Sequence, residues 1–245
     1  MHRFKISGKT ENYFKIAGEE LHHLINVLRL KPEDKIVGFD NSGRQWQGVI
    51  DIITEDEALC RIYAEEYPQV EAQTKVYIVM GLAKGEKIEW VIQKGTELGM
   101  TGFIPLQTQR SVVKLEGQKA LQRVSRWQKI ATEAVKQSRR VVEPEIKPIT
   151  GWEKVKDSLP AGTQWVIAYE DEKTVSLSNT LKGFNPEYPI AILIGPEGGF
   201  TAEEVAKARE DLAAQSVTLG PRILRTETAA IAALVIILAY YGQLG

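Results

Sequence analysis

Cysteine and histidine are nearly absent from this chain: Cys60 is the single cysteine, and His2, His22 and His23 are the three histidines. One cysteine excludes an internal disulfide and fits a reducing compartment. With no further Cys or His at ligand spacing, a zinc site is not expected, and no metal is expected at all. Nucleotide signatures are missing too. No Gly-Lys-Ser/Thr follows a glycine loop and no Gly-x-Gly-x-x-Gly occurs, which excludes a P-loop and a dinucleotide fingerprint. Long apolar runs are lacking. The best stretch, Ala229 to Tyr241, is too short to span a bilayer and reads as a buried helix, so no membrane partner is expected. Met1-His2-Arg3-Phe4-Lys5 has no apolar signal core, and the expectation is a cytoplasmic protein. No repeat or low-complexity tract interrupts the chain.

What is present is a globular composition, 43% hydrophobic and 26% charged over 245 residues. That is enough to bury a core in one large domain or two small ones. The net charge of −1 hides an asymmetry: from Arg110 to Arg140, nine Lys or Arg stand against two acids, Glu116 and Glu133. A basic segment in a near-neutral protein is the electrostatic footprint of a polyanion.

Along the chain the pattern changes once. Residues 2 to about 66 read as β-rich, with strands at 2–6, 35–39, 45–53 and 58–64. Asp40-Asn41-Ser42-Gly43 is a hairpin signal, and one helix runs from Glu19 to about Leu30 before Pro32. This predicts a small barrel over residues 1–70, followed by a polar linker at 68–74. From Lys75 onward, strands at 76–82, 103–106, 164–169, 189–194 and 216–219 alternate with helices, the signature of a parallel α/β domain over 75–245. Gly99 is the expected stop of a helix over 84–98. The helix over 118–140 places Leu121, Val124, Trp127, Ala131 and Ala134 on one face. Arg126, Lys129, Glu133, Lys136 and Arg140 recur on an adjacent face, a one-sided basic stripe that suits RNA.

Two strand-to-helix turns carry the most information. Ile194-Gly195-Pro196-Glu197-Gly198-Gly199-Phe200-Thr201 follows a buried apolar strand, and Thr201 with Glu204 makes a capping box for the next helix. Leu219-Gly220-Pro221-Arg222-Ile223-Leu224-Arg225-Thr226-Glu227-Thr228 follows a second strand. Adjacent turns of this kind open a crevice at the carboxyl ends of a parallel sheet, where open α/β sheets bind ligands.

These two loops, with Gln93 to Gly99, Glu133 to Arg140 and His22 to Arg29, resemble the ribosomal RNA small-subunit methyltransferase E family, in the family's order over nearly the whole chain. The resemblance implies an α/β fold: a SPOUT-type methyltransferase domain with a C-terminal trefoil knot, preceded by a small PUA-like β-barrel that binds RNA. It implies a homodimer and S-adenosylmethionine as methyl donor. The substrate it implies is N3 of a uridine in 16S rRNA of the small ribosomal subunit, near the decoding centre. The chain departs from the family at Glu33, where Gly usually precedes Asp34, and at Val142 and Glu143, where Arg and Val often precede Pro144.

Site residues follow from the same resemblance. Ile194, Gly195, Pro196, Glu197, Gly198 and Gly199 form one wall of the cofactor pocket. Leu219, Gly220, Ile223, Leu224 and Arg225 form another, and Tyr169 with Glu170 closes a third side. Arg225 is the candidate catalytic cation for the charge that develops when uridine N3 loses its proton. Glu227 is a candidate base or the carboxylate that orients Arg225, set against a plain helix N-terminal carboxylate. Arg110, Lys114, Arg126, Arg139 and Arg140 are expected to hold RNA phosphates, with Arg3 and Arg29 extending that surface onto the barrel. Two alternatives stand beside this reading: a 2′-O-ribose methyltransferase of the same fold, and a ribosome-assembly factor that binds RNA without catalysis.

Overall fold

Residues 1–113 and 115–244 are described by the computed structural model, and contacts along the chain separate it into two units. The first joins Met1–Glu71 to Val135–Glu143, and the second joins Ala72–Ala134 to Pro144–Gly245. No local sequence signal announces the return of the chain to the first unit.

The first unit is a six-stranded sheet. Its strands are β1 (His2–Lys5), β2 (Gly8–Lys9), β3 (Tyr13–Ala17), β4 (Lys35–Phe39), β5 (Gln45–Ile53) and β6 (Glu57–Glu66), in the order β1-β4-β5-β6-β3-β2. All pairings are antiparallel except β1 with β4. Alternation explains the core: Phe14 and Ile16 on β3, Trp46 and Ile50 on β5, and Ala58 and Cys60 on β6 point inward to meet Phe4 and Leu24. The hairpin signal holds. Asn41 (φ 70°) and Gly43 (φ 83°) make the turn, and the Asp40 carboxylate accepts from the Ser42 amide at 3.0 Å. The helix expected over 19–30 is shorter. An α-helix, α1 (Gly18–His22), passes into a π-helical turn over His23–Val27, and Arg29 at φ 54° reverses the chain.

The second unit is a parallel sheet covered on both faces. Strands β7 (Val76–Gly81), β8 (Gly102–Gln107), β9 (Glu145–Ile146), β10 (Thr150–Gly151), β11 (Gln164–Ala168), β12 (Ile190–Ile194) and β13 (Gln215–Val217) run in the order β10-β8-β7-β12-β11-β13, with β9 paired to β8. The helices are α2 (Lys87–Leu98), α3 (Gly117–Ser138), whose residues from Val135 on belong to the first unit, α4 (Trp152–Val155), α5 (Leu177–Leu181), α6 (Ala202–Leu212) and α7 (Thr226–Tyr240). Ile88, Val91 and Ile92 of α2 pack with Leu177 of α5 and Leu234 and Ile237 of α7 on one face. Val155 of α4 and Val205, Ala208 and Leu212 of α6 cover the other. Burial on both sides accounts for the unbroken apolar run Ile190–Ile194, whose residues are all buried. Gly99, at φ 107°, stops α2 as expected. Among the described residues, no helix is long and apolar enough to cross a membrane.

Candidate functional site

At the carboxyl ends of β11, β12 and β13 the second unit holds a cavity of about 830 Å³, within the size range of small-molecule and cofactor sites. It is floored by the ends of the strands and walled by the two loops read from the sequence. Tyr169, Glu170, Ile194, Gly195, Pro196, Glu197 and Gly199 line it on one side. Leu219, Gly220, Ile223, Leu224 and Arg225 line it on the other. Gly198 is not in the wall; its carbonyl accepts from Arg110 Nη1 at 2.7 Å.

Close backbone approach makes this shape possible. A Cβ on Gly81, at the end of β7, would sit 2.5 Å from Pro196 Cδ and 2.7 Å from Pro196 N. Only a glycine there lets the loop after β12 lie across the strand end. Gly199 takes φ 68°, and its amide donates to the Pro196 carbonyl at 2.9 Å, which closes the turn.

Four side chains then fix the loop. Glu197 accepts from the Lys84 amide at 2.9 Å and from Lys87 Nζ at 2.6 Å, tying the loop to the start of α2. Burial pushes its carboxyl up, but hydrogen bonds from Lys87, its own amide and the Lys84 amide outweigh that and hold it below the usual range. The capping box at α6 is present as expected. Thr201 Oγ1 accepts from the Glu204 amide, and Glu204 Oε2 accepts from the Thr201 amide. Glu204, 3% exposed, also accepts from the Gln109 amide and from Trp152 Nε1, so one buried carboxylate anchors three segments. Finally, Thr226 Oγ1 donates to the Gly195 carbonyl at 2.5 Å, joining the two walls.

The two catalytic candidates separate. Arg225 is exposed on the cavity wall, whereas Glu227 lies outside it, in the first turn of α7. Glu227 Oε2 is buried and has no hydrogen-bond partner among the described residues. Sequence analysis also missed lining residues: Lys87, Lys173, Phe200, Thr218, Arg222 and Thr226 among them. Arg222 and Thr226 lay within the quoted loop. Lys87, one element away, carried no signal, because only the fold brings α2 to the glycine loop.

The basic residues are divided among different tasks. Arg110 and Arg126 belong to the second unit, and both are exposed. Arg126 pairs with Glu89 at 2.8 Å, and Arg123 shares that carboxylate at 3.0 Å. In the first unit Arg29 and Arg139 are exposed. Arg140 is 5% exposed and gives Nε and Nη2 to Glu71. Arg3 donates to Gln45 and to the Arg140 carbonyl, and burial with the nearby Arg139 charge lowers its pKa. Lys136 pairs with Glu20 at 3.0 Å. Lys114 lies outside the described residues. The stripe is therefore partly neutralised by acids from distant positions in the chain. In the first unit Glu33 adopts φ 77°, and Glu143, 5% exposed at its side chain, pairs with Lys5. Among the described residues, no group of three or more His, Cys, Asp or Glu could hold a metal ion.

A parallel α/β unit with a backbone-built crevice at its strand ends, in a chain that also carries a small β-sheet unit, is the architecture of RNA-modifying methyltransferases. The family model for the RNA methyltransferase domain matches residues 70–238, and that for the RNA methyltransferase PUA domain matches residues 16–63. The chain belongs to the ribosomal RNA small subunit methyltransferase E family. It is 39% identical to the ribosomal RNA small subunit methyltransferase E of Bacillus subtilis over 90% of this chain and 88% of that one. The Synechocystis protein of that name is 34% identical over 88% of this chain and 69% of its own length. Among solved structures, the enzyme of that name from Neisseria gonorrhoeae, bound to S-adenosyl methionine, aligns with a TM-score of 0.85 at 29% identity, covering 98% of this chain and 97% of that one. A putative methyltransferase from Legionella pneumophila in complex with the same cofactor aligns with a TM-score of 0.85 at 27% identity, covering 97% and 96%.

Proposed function

We propose that this protein transfers the methyl group of S-adenosylmethionine to N3 of a uridine in 16S rRNA, near the decoding centre of the small ribosomal subunit. The observation that carries the reading is the cavity at the ends of β11, β12 and β13, assembled from the two loops that also carry the family resemblance. The fit of the cofactor rests on the cavity's volume and on the apolar wall of Ile194, Leu219 and Leu224.

When bound, S-adenosylmethionine supplies a methyl group already activated on a sulfonium. The chain therefore needs to position and to stabilise charge rather than to form a covalent intermediate. The N3 lone pair would take the methyl, leaving the donor as a neutral thioether, and the uridine N3 proton would pass to water. Arg225, on the wall and without a carboxylate partner among the described residues, stabilises the negative charge that spreads to the uracil carbonyls. Glu227, outside the wall and in the first turn of α7, is read here as the carboxylate that complements the helix N-terminus.

The wider assembly follows the same reading. We assign residues 1–70 to an RNA-binding barrel and residues 75–245 to the SPOUT domain, with a C-terminal trefoil knot. Support for the knot comes from the Thr226–Gly195 bond and from the packing of α7 on β7 and β12. The protein acts as a cytoplasmic homodimer. Support for the dimer comes from α7, apolar all round, which leaves Val235 36% and Tyr240 43% exposed. Exposed Arg29 and Arg139 on the barrel unit and Arg110 and Arg126 on the other are the phosphate contacts we assign, whereas Arg3 and Arg140 hold the fold.

The test offers labelled S-adenosylmethionine to small subunits lacking the modification, and separately to naked 16S rRNA, and maps the label. Label on one uridine base, reduced about 10²–10³-fold in Arg225→Ala, is the expected result. A methyl on ribose, or no transfer despite normal subunit binding, would overturn the reading.

A further inference from the structure

The loop between β13 and α7 carries two guanidiniums that nothing among the described residues neutralises. Lys87, Lys173, Arg222 and Arg225 all line the cavity. Lys87 is paired with Glu197 at 2.6 Å, and the Lys173 ammonium donates to the Glu170 carbonyl. Arg222 and Arg225 are exposed, and neither makes a side-chain hydrogen bond or ion pair among the described residues. Between them Ile223 is 77% exposed, the most exposed large apolar side chain described.

Charge balance says what such a tip can hold. S-adenosylmethionine carries a sulfonium, an ammonium and one carboxylate, so its net charge is positive. Its single carboxylate can pair with at most one of the two cations, and its net positive charge disfavours a second, whereas RNA phosphates can take both. Methylation at N3 adds a geometric demand, because the Watson–Crick edge is reached only when the nucleotide leaves its stack. A nucleotide swung out brings its phosphate with it and leaves a gap that an apolar side chain can enter.

Resting on the proposed rRNA methylation, we propose that Arg222 holds the phosphate of the target nucleotide while the Ile223 side chain enters the gap left by its base. Arg225 is then left to face the reacting ring. Arg222 touches no reacting atom and is a positioning residue. The backbone of Ile223 still forms part of the cofactor wall.

The experiment compares wild type with Arg222→Ala, Arg222→Lys, Ile223→Ala and Ile223→Met. Each is measured for cofactor affinity by calorimetry, for methyl transfer to unmodified small subunits, and for the salt dependence of subunit binding. Arg222→Ala is expected to leave cofactor affinity and kcat near wild type and to raise the KM for subunits about tenfold. The slope of log affinity against log salt should shrink by about 0.7–0.9, the share of one phosphate, and Arg222→Lys should restore it. Ile223→Ala is expected to lower kcat about tenfold at unchanged cofactor affinity, with Ile223→Met recovering it. In subunits carrying 2-aminopurine beside the target uridine, Ile223→Ala should abolish the brightening that accompanies unstacking. An unchanged KM and salt slope in Arg222→Ala would overturn the phosphate role. Cofactor affinity falling in step with transfer in either variant would assign that side chain to the cofactor instead. Wild type binding cofactor yet methylating no subunit would sink the underlying reading, a result separable from any difference between variants.

Discussion

Thr226 Oγ1 and the carbonyl of Gly195 lie 2.5 Å apart, 31 residues apart in the chain. This bond joins the first residue of α7 to the first residue of the glycine loop, so the two walls of the cavity are set by one contact. Thr226→Val keeps the shape and removes the donor, leaving a carbonyl in a partly buried position unpaired. The expected cost is about 1–3 kcal/mol in denaturant unfolding, with weaker cofactor binding by calorimetry. Unchanged stability and affinity would show that the walls are held elsewhere.

Glu33 sits at φ 77°, in the left-handed region that disfavours residues with a Cβ. Glu33→Gly removes that strain at the cost of a more flexible unfolded chain. We expect a net gain of up to about 1 kcal/mol, read as a shift of the urea midpoint without a change of slope. A loss of stability would mean that the Glu33 side chain contributes more than its backbone costs.

Glu172 holds the turn that carries Glu170 and Lys173 to the cavity. Its Oε1 accepts from the Thr174 amide at 2.9 Å, the Thr174 hydroxyl at 2.8 Å and the Val175 amide at 3.1 Å. The backbone bonds from Thr174 and Val175, then the Thr174 hydroxyl, lower its pKa from 4.5 to about 2. A depressed value means that the turn's stabilisation is complete above the ordinary carboxylate pKa and is lost as the pH falls through about 2. Amide chemical shifts of Thr174 and Val175 should titrate with a midpoint near 2. A midpoint near 4.5 would place the carboxylate in solvent.

Cys60 is buried on β6, and burial, then the nearby Asp51 charge, push its thiol up to about 12. The thiolate is the reactive form, so alkylation of the folded protein at pH 8 should be about a thousand-fold slower than that of the unfolded chain. Iodoacetamide labelling followed by mass spectrometry reads this directly. Rapid labelling without denaturant would mean that the sheet opens locally at β6.

Much of the site was legible because chemistry and turn geometry lie in contiguous residues there. The glycine loop, the Thr201–Glu204 box and the loop from Leu219 are each local devices whose residues dictate their own backbone. Legibility failed where pairing was remote. Tyr13–Ala17 pairs with β6 across more than forty residues, and its alternation spans only Phe14 and Ile16, too short to stand out. Leu121, placed by periodicity on the apolar face of α3, is 70% exposed, because that face continues beyond what the helix packs against.

Composition and local pattern by themselves determined the parallel α/β unit, the β-rich unit before it and the two loops, since propensity, capping and hydrophobic periodicity act over a few residues. Tertiary structure alone decided which charges are spent. Lys136 pairs with Glu20 and Arg140 with Glu71, while Arg123 and Arg126 share the single Glu89 carboxylate and so keep one net positive charge, each acid lying far away in sequence. Coulomb interaction depends on distance in space and on burial, neither of which a linear charge pattern contains. For the same reason, part of a stripe of like charges in the sequence is held in ion pairs, and among the described residues the cavity cations without a partner are Arg222 and Arg225.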